Sequence, residues 1–170
     1  MRLATLSLTL ALGCASQPEA ASYFPTPGPL HAPSAAALLH RTHQPPLLAG
    51  PDRLRLLVTD AWFRSAIIYT LTPVGDSASL AILETPAGQA QTLRTIPIAK
   101  DRWIATSRHF TDLGLLSDAP SSGEPPALDG SYLLWERRHG TRYTSATYGK
   151  GTEPLAQAEN WLAYLGEHPN

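Results

Sequence analysis

The sequence predicts an α+β domain: an antiparallel β-sheet of about six strands, covered on one face by two helices. Three observations predict it. Residues 53 to 98 are short apolar runs rich in leucine and β-branched residues, separated by Gly, Pro, Asp and Ser turn signals. The apolar spacing then changes from two to three or four in residues 100–116, and again near the C-terminus. No helix pattern alternates with the first strands, so the βαβ order of a parallel sheet is absent.

The elements follow in order. RLRLLVTD (53–60) reads as a strand, with polar alternation at its start. SAIIYTLTP (65–73) is a stronger strand, ended by Pro73 and the turn Val74-Gly75-Asp76-Ser77. ASLAILET (78–85) follows at hairpin distance and stops at Pro86-Ala87-Gly88. QTLRTIPI (91–98) is weaker, and Pro97 confines it to an edge or a strand end because proline donates nothing to a ladder. In KDRWIATSRHFTDLGLL (100–116), Trp103, Ser107, Phe110 and Leu113 form one helical stripe, while Lys100, Arg102, Thr106 and Arg108 fall elsewhere. Gly114 stands where a left-handed C-cap is wanted, with Leu115 covering the stripe.

After a polar loop at 117–130, SYLLWER (131–137) and RYTSATY (142–148) flank Arg138-His139-Gly140-Thr141. Gly140 supplies the positive φ of a tight hairpin. Alternation puts Leu133, Trp135, Ala146 and Tyr148 on one face, and Tyr132 and Tyr143 on the other. The last helix begins near Thr152-Glu153-Pro154, with Thr152 as cap and proline in the first turn. Its apolar face is Leu155, Ala158, Trp161, Leu162 and Leu165, and Gly166 ends it. Trp103, Trp135 and Trp161 sit one each in helix, hairpin and last helix, placed to join the three in one core.

The N-terminus has a different character. Met1-Arg2 carries one positive charge, and residues 3–13 (LATLSLTLALG) carry none. This is the n-region and h-region of a secretory signal, and it is too short for a permanent span of about 20 residues. It stops at Gly13-Cys14, the only cysteine of the chain. A small residue before cysteine resembles the bacterial lipoprotein signal, although Ala11 stands where leucine is usual. That resemblance implies that Cys14 becomes an acylated first residue carrying palmitate-type chains. Ala15 rather than aspartate after it implies the outer membrane, facing the periplasm. The alternative is cleavage around Cys14-Ala15-Ser16 and a soluble secreted protein.

The expected organisation is a signal at 1–13, a tether at 14–51 and a single domain at 52–170. Pro18, Pro25, Pro27, Pro29, Pro33, Pro45, Pro46 and Pro51 crowd the tether, which reads as extended and polyproline-like. At about 3 Å per residue it would hold the domain on the order of 100 Å from the membrane. A short helix at Ala35 to Arg41 interrupts it. His31, His40 and His43 lie here, but no third ligand has fixed geometry and Pro45-Pro46 ends any helix, so no metal is expected.

The span from Arg53 to Gly166 resembles a group of small bacterial secreted or lipid-anchored proteins of uncharacterised function. The residues that carry the resemblance are the early RLRLLVTD strand and the Ile-rich strand after it, the IAKDRWIATSRHFTDLGLL helix, and DGSYLLWERRHGTRY. In the last of these, Asp129-Gly130, Glu136, Arg138 and Gly140-Thr141-Arg142-Tyr143 match a strand running into a basic hairpin. The resemblance implies the order of elements and no chemistry.

A net charge of −1 and 16% charged residues give no basic footprint for nucleic acid. Nucleophile elbows, Ser-x-x-Lys, His-Glu-x-x-His and EF-hand loops are absent from the sequence, and no cofactor is implied. Glu136 is an acid within an apolar strand, opposite Tyr143 and within reach of Arg137, Arg138 and Arg142, which suits a structural ion pair better than catalysis. Arg137, Arg138, His139, Arg142 and Tyr143 are the candidate binding residues, suited to a carboxylate of peptidoglycan, a phosphate or an acidic protein patch. The chain therefore reads as a non-enzymatic envelope lipoprotein that binds an envelope macromolecule or protein, as assembly factor, inhibitor or immunity protein. The alternative is a small periplasmic hydrolase acting on the cell wall.

Overall fold

A computed structural model describes residues 20–25, 28–29, 31–120, 122, 130–149 and 154–168. The signal, Cys14 and Thr152 lie outside the described residues. Within them, α1 (Ala32–Arg41) precedes four strands, β1 (Arg53–Asp60), β2 (Ala66–Val74), β3 (Ser77–Thr85) and β4 (Thr92–Ile98). Then come α2 (Lys100–Asp112), the hairpin β5 (Ser131–His139) and β6 (Arg142–Gly149), and α3 (Leu155–Glu167).

The strands form one six-stranded sheet in the order β4-β3-β2-β1-β5-β6, and every pairing is antiparallel. The fold is α+β, as the sequence predicts. β1 lies inside the sheet, and its six middle residues are all buried, because both of its faces are covered. β4 is the opposite case: an edge strand, mostly exposed, where Pro97 opposite Ser79 breaks no interior ladder. Gly140 takes φ 58° at the β5–β6 turn, and Gly114 takes φ 72° just after α2, where Leu115 N bonds back to Phe110 O at 3.0 Å.

Alternation divides the core into two layers. Leu54, Leu56, Leu80, Ile82, Leu133 and Trp135 pack with Phe110 of α2 and with Leu155, Leu162 and Leu165 of α3. Leu57, Ile68, Leu83, Tyr132 and Leu134 point the other way, into a second core with Ala35, Leu38 and Leu39 of α1 and with Tyr23 and Phe24. The sheet is therefore covered on both faces, rather than on one.

This corrects the expected tether. From Ala20 to Pro51 the described chain is folded onto the sheet. Proline density misleads here because Pro33 sits in the first turn of α1, where its missing N–H costs nothing. Ala35, Leu38 and Leu39 then bury an apolar stripe at helical spacing. Beyond α1, Arg55 Nη1 donates to Pro45 O at 2.8 Å, and Arg138 Nε donates to Gly50 O at 2.7 Å. Residue 52 is thus no boundary between a spacer and a domain. Limited proteolysis is expected to leave a resistant core that begins near residue 20; a stable fragment starting near residue 50 would contradict the α1 layer.

Gly166 also plays a different part from the expected helix stop. It lies within α3, and a Cβ placed on it would sit 2.7 Å from Ile82 Cδ1. It lets α3 approach β3, and Arg94 Nη1 donates to its carbonyl at 3.3 Å. Pro154 precedes α3 without a side-chain cap.

Candidate functional site

Of the basic hairpin, Arg137, Arg138 and His139 border one cavity of about 300 Å³ with Asp52, Trp103 and Leu116, whereas Arg142 and Tyr143 do not line it. Successive residues of a strand point to opposite faces, so β5 sends Arg137 and Arg138 apart. Arg137 turns to the α2 side and donates to Leu116 O, while Arg138 turns to the α1 side and donates to Gly50 O and Leu48 O. His139 Nδ1 lies 2.8 Å from Asp52 Oδ2, and Asp52 Oδ1 accepts Gly140 N at 2.7 Å. The Gly140 N–H and the His139 contact hold the Asp52 carboxyl below its usual range, against the upward pull of burial. Arg142 pairs with Asp118. All of these groups are engaged by the protein itself, and together they fasten the hairpin to the segments around residues 48–52 and 116–118.

Tyr143 belongs to a third environment. Its hydroxyl donates to Glu136 Oε1 at 2.9 Å, and burial first, then the Glu136 charge, push its pKa upward. Glu136 is fully buried and its Oε2 accepts Arg55 Nε at 2.6 Å. An ion pair does hold Glu136, with Arg55 of β1 as the partner and not a hairpin arginine.

A cleft of about 400 Å³ opens at the ends of β1, β2 and β3, lined by Asp60, Ser65, Glu84, Thr85, Ser131 and Glu159 among others. Asp60 is already committed. Burial raises its pKa, but hydrogen bonds from the Ser65 side chain and from the Arg64, Ser65 and Trp62 amides outweigh it and bring the carboxyl to about 2. Glu84 lies 3.7 Å from Arg94.

A second open concavity runs over the outer surface of α2 and α3, about 380 Å³, lined by His109, Gln157, Asn160, Trp161 and Tyr164. Helical spacing explains its rings: Trp161 and Tyr164 are three apart on α3, and His109 meets them from α2. The His109 and Trp161 centroids are 4.9 Å apart, those of Trp161 and Tyr164 5.9 Å, and Tyr164 stacks on His168 at 4.7 Å. Trp161 is half-buried, and its Nε1 donates to Thr106 Oγ1 at 3.0 Å, which fixes the indole. The Arg102 guanidinium lies 5.4 Å from the Tyr164 ring centre. Among the described residues no carboxylate lines this groove. Trp161, expected on the inward stripe of the last helix, is half-buried and meets His109 across two helices, a pairing that spacing along one helix does not reveal.

Among the described residues no group of three or more His, Cys, Asp or Glu side chains is placed to hold a metal ion. The chain matches no protein-family profile, and no curated protein shows significant similarity to it.

Proposed function

We propose that this chain is a non-enzymatic binding module of the bacterial cell envelope, anchored in the outer membrane by lipid on Cys14, and that its α2–α3 groove takes a glycan strand such as that of peptidoglycan. One observation carries the reading: three ring side chains, His109, Trp161 and Tyr164, share a shallow groove with the amides of Gln157 and Asn160. A sugar ring offers a face of C–H groups and a rim of hydroxyls. Aromatic faces suit the first, and amides, which both donate and accept, suit the second. The hairpin cluster supports binding less well, because its cations are spent on the protein's own carbonyls and carboxylates.

Sedimentation with purified peptidoglycan, and titration with soluble glycan fragments, test the proposal. Trp161→Ala is expected to weaken binding about tenfold, as loss of one ring contact of roughly 1–1.5 kcal/mol would. Undiminished binding by that variant would sink the groove. The alternative, a small cell-wall hydrolase, has the cleft with Glu84 and Glu159 in its favour. Release of soluble fragments from peptidoglycan, abolished by Glu84→Gln or Glu159→Gln, would select it instead.

A further inference from the structure

The turn between β1 and β2 carries Trp62, 72% exposed, the most exposed of the large apolar side chains among the described residues. Its neighbour Phe63 does the opposite. Phe63 is 8% exposed and packs its ring 5.2 Å from Tyr132 and 6.2 Å from His31. To turn in while Trp62 turns out, Phe63 adopts φ 54°, a left-handed conformation that is uncommon for a bulky residue. The turn is held against that strain. Asp60 Oδ1 accepts the Trp62 and Arg64 amides at 2.8 and 3.1 Å, Asp60 Oδ2 accepts Ser65 N at 2.8 Å, and Arg41 of α1 donates to Phe63 O. The indole is thus presented on a fixed support, with exposed Arg64 two residues along.

A second observation concerns the path of the chain. Phe63 belongs to the same core layer as α1, Tyr23 and Phe24, and Ala20 packs against that layer. Cys14 precedes Ala20 by six residues, which span no more than about 20 Å even when fully extended. A lipid on Cys14 would therefore keep the α1 layer close to the bilayer, and not on the order of 100 Å away as an extended 37-residue spacer would.

We infer that the Trp62–Arg64 turn is a second membrane contact, its indole entering the interfacial zone of the bilayer that holds the Cys14 lipid and Arg64 meeting lipid phosphates. The inference rests on the reading of Cys14 as the anchored residue. Indoles settle at the headgroup level because one end is apolar and the other donates a hydrogen bond. Guanidinium pairs with phosphate in a fork. An added contact also fixes orientation, which acyl chains alone leave free. The α2–α3 groove would then face away from the membrane, since it lies across the sheet from α1.

The test uses the sole cysteine as a handle. The chain from residue 14 onward is coupled through the Cys14 thiol to a maleimide lipid in phosphatidylethanolamine–phosphatidylglycerol vesicles that contain brominated acyl chains. Bromine quenches an indole that enters the bilayer. The native sequence is expected to be quenched, and Trp62→Ala to lose most of that quenching while Trp161→Ala keeps it. Circular dichroism checks that Trp62→Ala, an exposed substitution, leaves the fold intact. Equal quenching with and without Trp62, or none in either, overturns the inference. Because the coupling is chemical, the result does not depend on whether cells acylate Cys14; mass spectrometry of the native protein's N-terminus decides that separately.

Discussion

Trp135→Ala is expected to lower the stability of the domain by about 3–5 kcal/mol, the usual cost of truncating a fully buried aromatic. Trp135 is 0% exposed, meets Phe110 edge-on at a centroid distance of 5.2 Å, and donates Nε1 to Leu115 O at 3.2 Å. The substitution removes the contact between β5 and α2 and orphans the Leu115 carbonyl. It spends a large share of the 5–15 kcal/mol or so that a domain of this size commands. Trp161→Ala should cost less, about 1–2 kcal/mol, since that ring is half-buried at the rim of the same core. Arg138→Ala should cost about 1 kcal/mol, because its hydrogen bonds hold the 48–50 segment. Urea midpoints at unchanged m-value measure all three. Equal losses at positions 135 and 161 would mean that the α2–β5 packing is wrongly described.

Breaking the Arg55–Glu136 pair from one side is expected to cost a similar 3–5 kcal/mol or so, because a buried charge is left without its partner. Both side chains are almost wholly inaccessible, 1% and 0%, and Arg55 Nη2 has no hydrogen-bond partner among the described residues. Glu136→Leu strands the guanidinium; Arg55→Met strands the carboxylate beside Tyr143. The double variant should lose much less than the sum, since an apolar pair of similar volume carries no desolvation cost. A double-mutant cycle by chemical denaturation reads the coupling. Strictly additive losses would show that the two groups are not a pair in solution.

The sheet was largely legible because alternation in Leu133, Trp135, Ala146 and Tyr148 is a local signal, and so were the cap at Gly114 and the turn at Gly140. The α1 layer was not. Its stripe is short and alanine-rich, and averaging over a proline-dense segment hides prolines that begin a helix among those that forbid one. The Arg55–Glu136 contact joins residues 81 apart, so Arg55 reads as an ordinary polar start to a strand. The hairpin cluster is only partly legible: Arg137, Arg138 and His139 do border one cavity, but the partners that hold each of them, Leu116, Gly50 and Asp52, lie far away in the sequence. Trp62 is marked in the sequence by an aromatic pair, Trp62-Phe63, inside a turn segment that has no need of two rings.

The position of β1 has a consequence for how the chain reaches this state. One side of β1 is paired by β2, which follows within a few residues, and the other by β5, whose Glu136 lies 81 residues beyond Arg55. Closing that loop is an entropic barrier that local hairpins do not face, so docking of β5 should come late and set the pace of folding. Until then β1 is an open, leucine-rich edge of the kind that recruits other chains. Arg55 stands in the middle of that edge with its charge still hydrated. A residue that is an internal partner in the finished protein is, in the unfinished one, the gatekeeper that makes edge-to-edge aggregation costly.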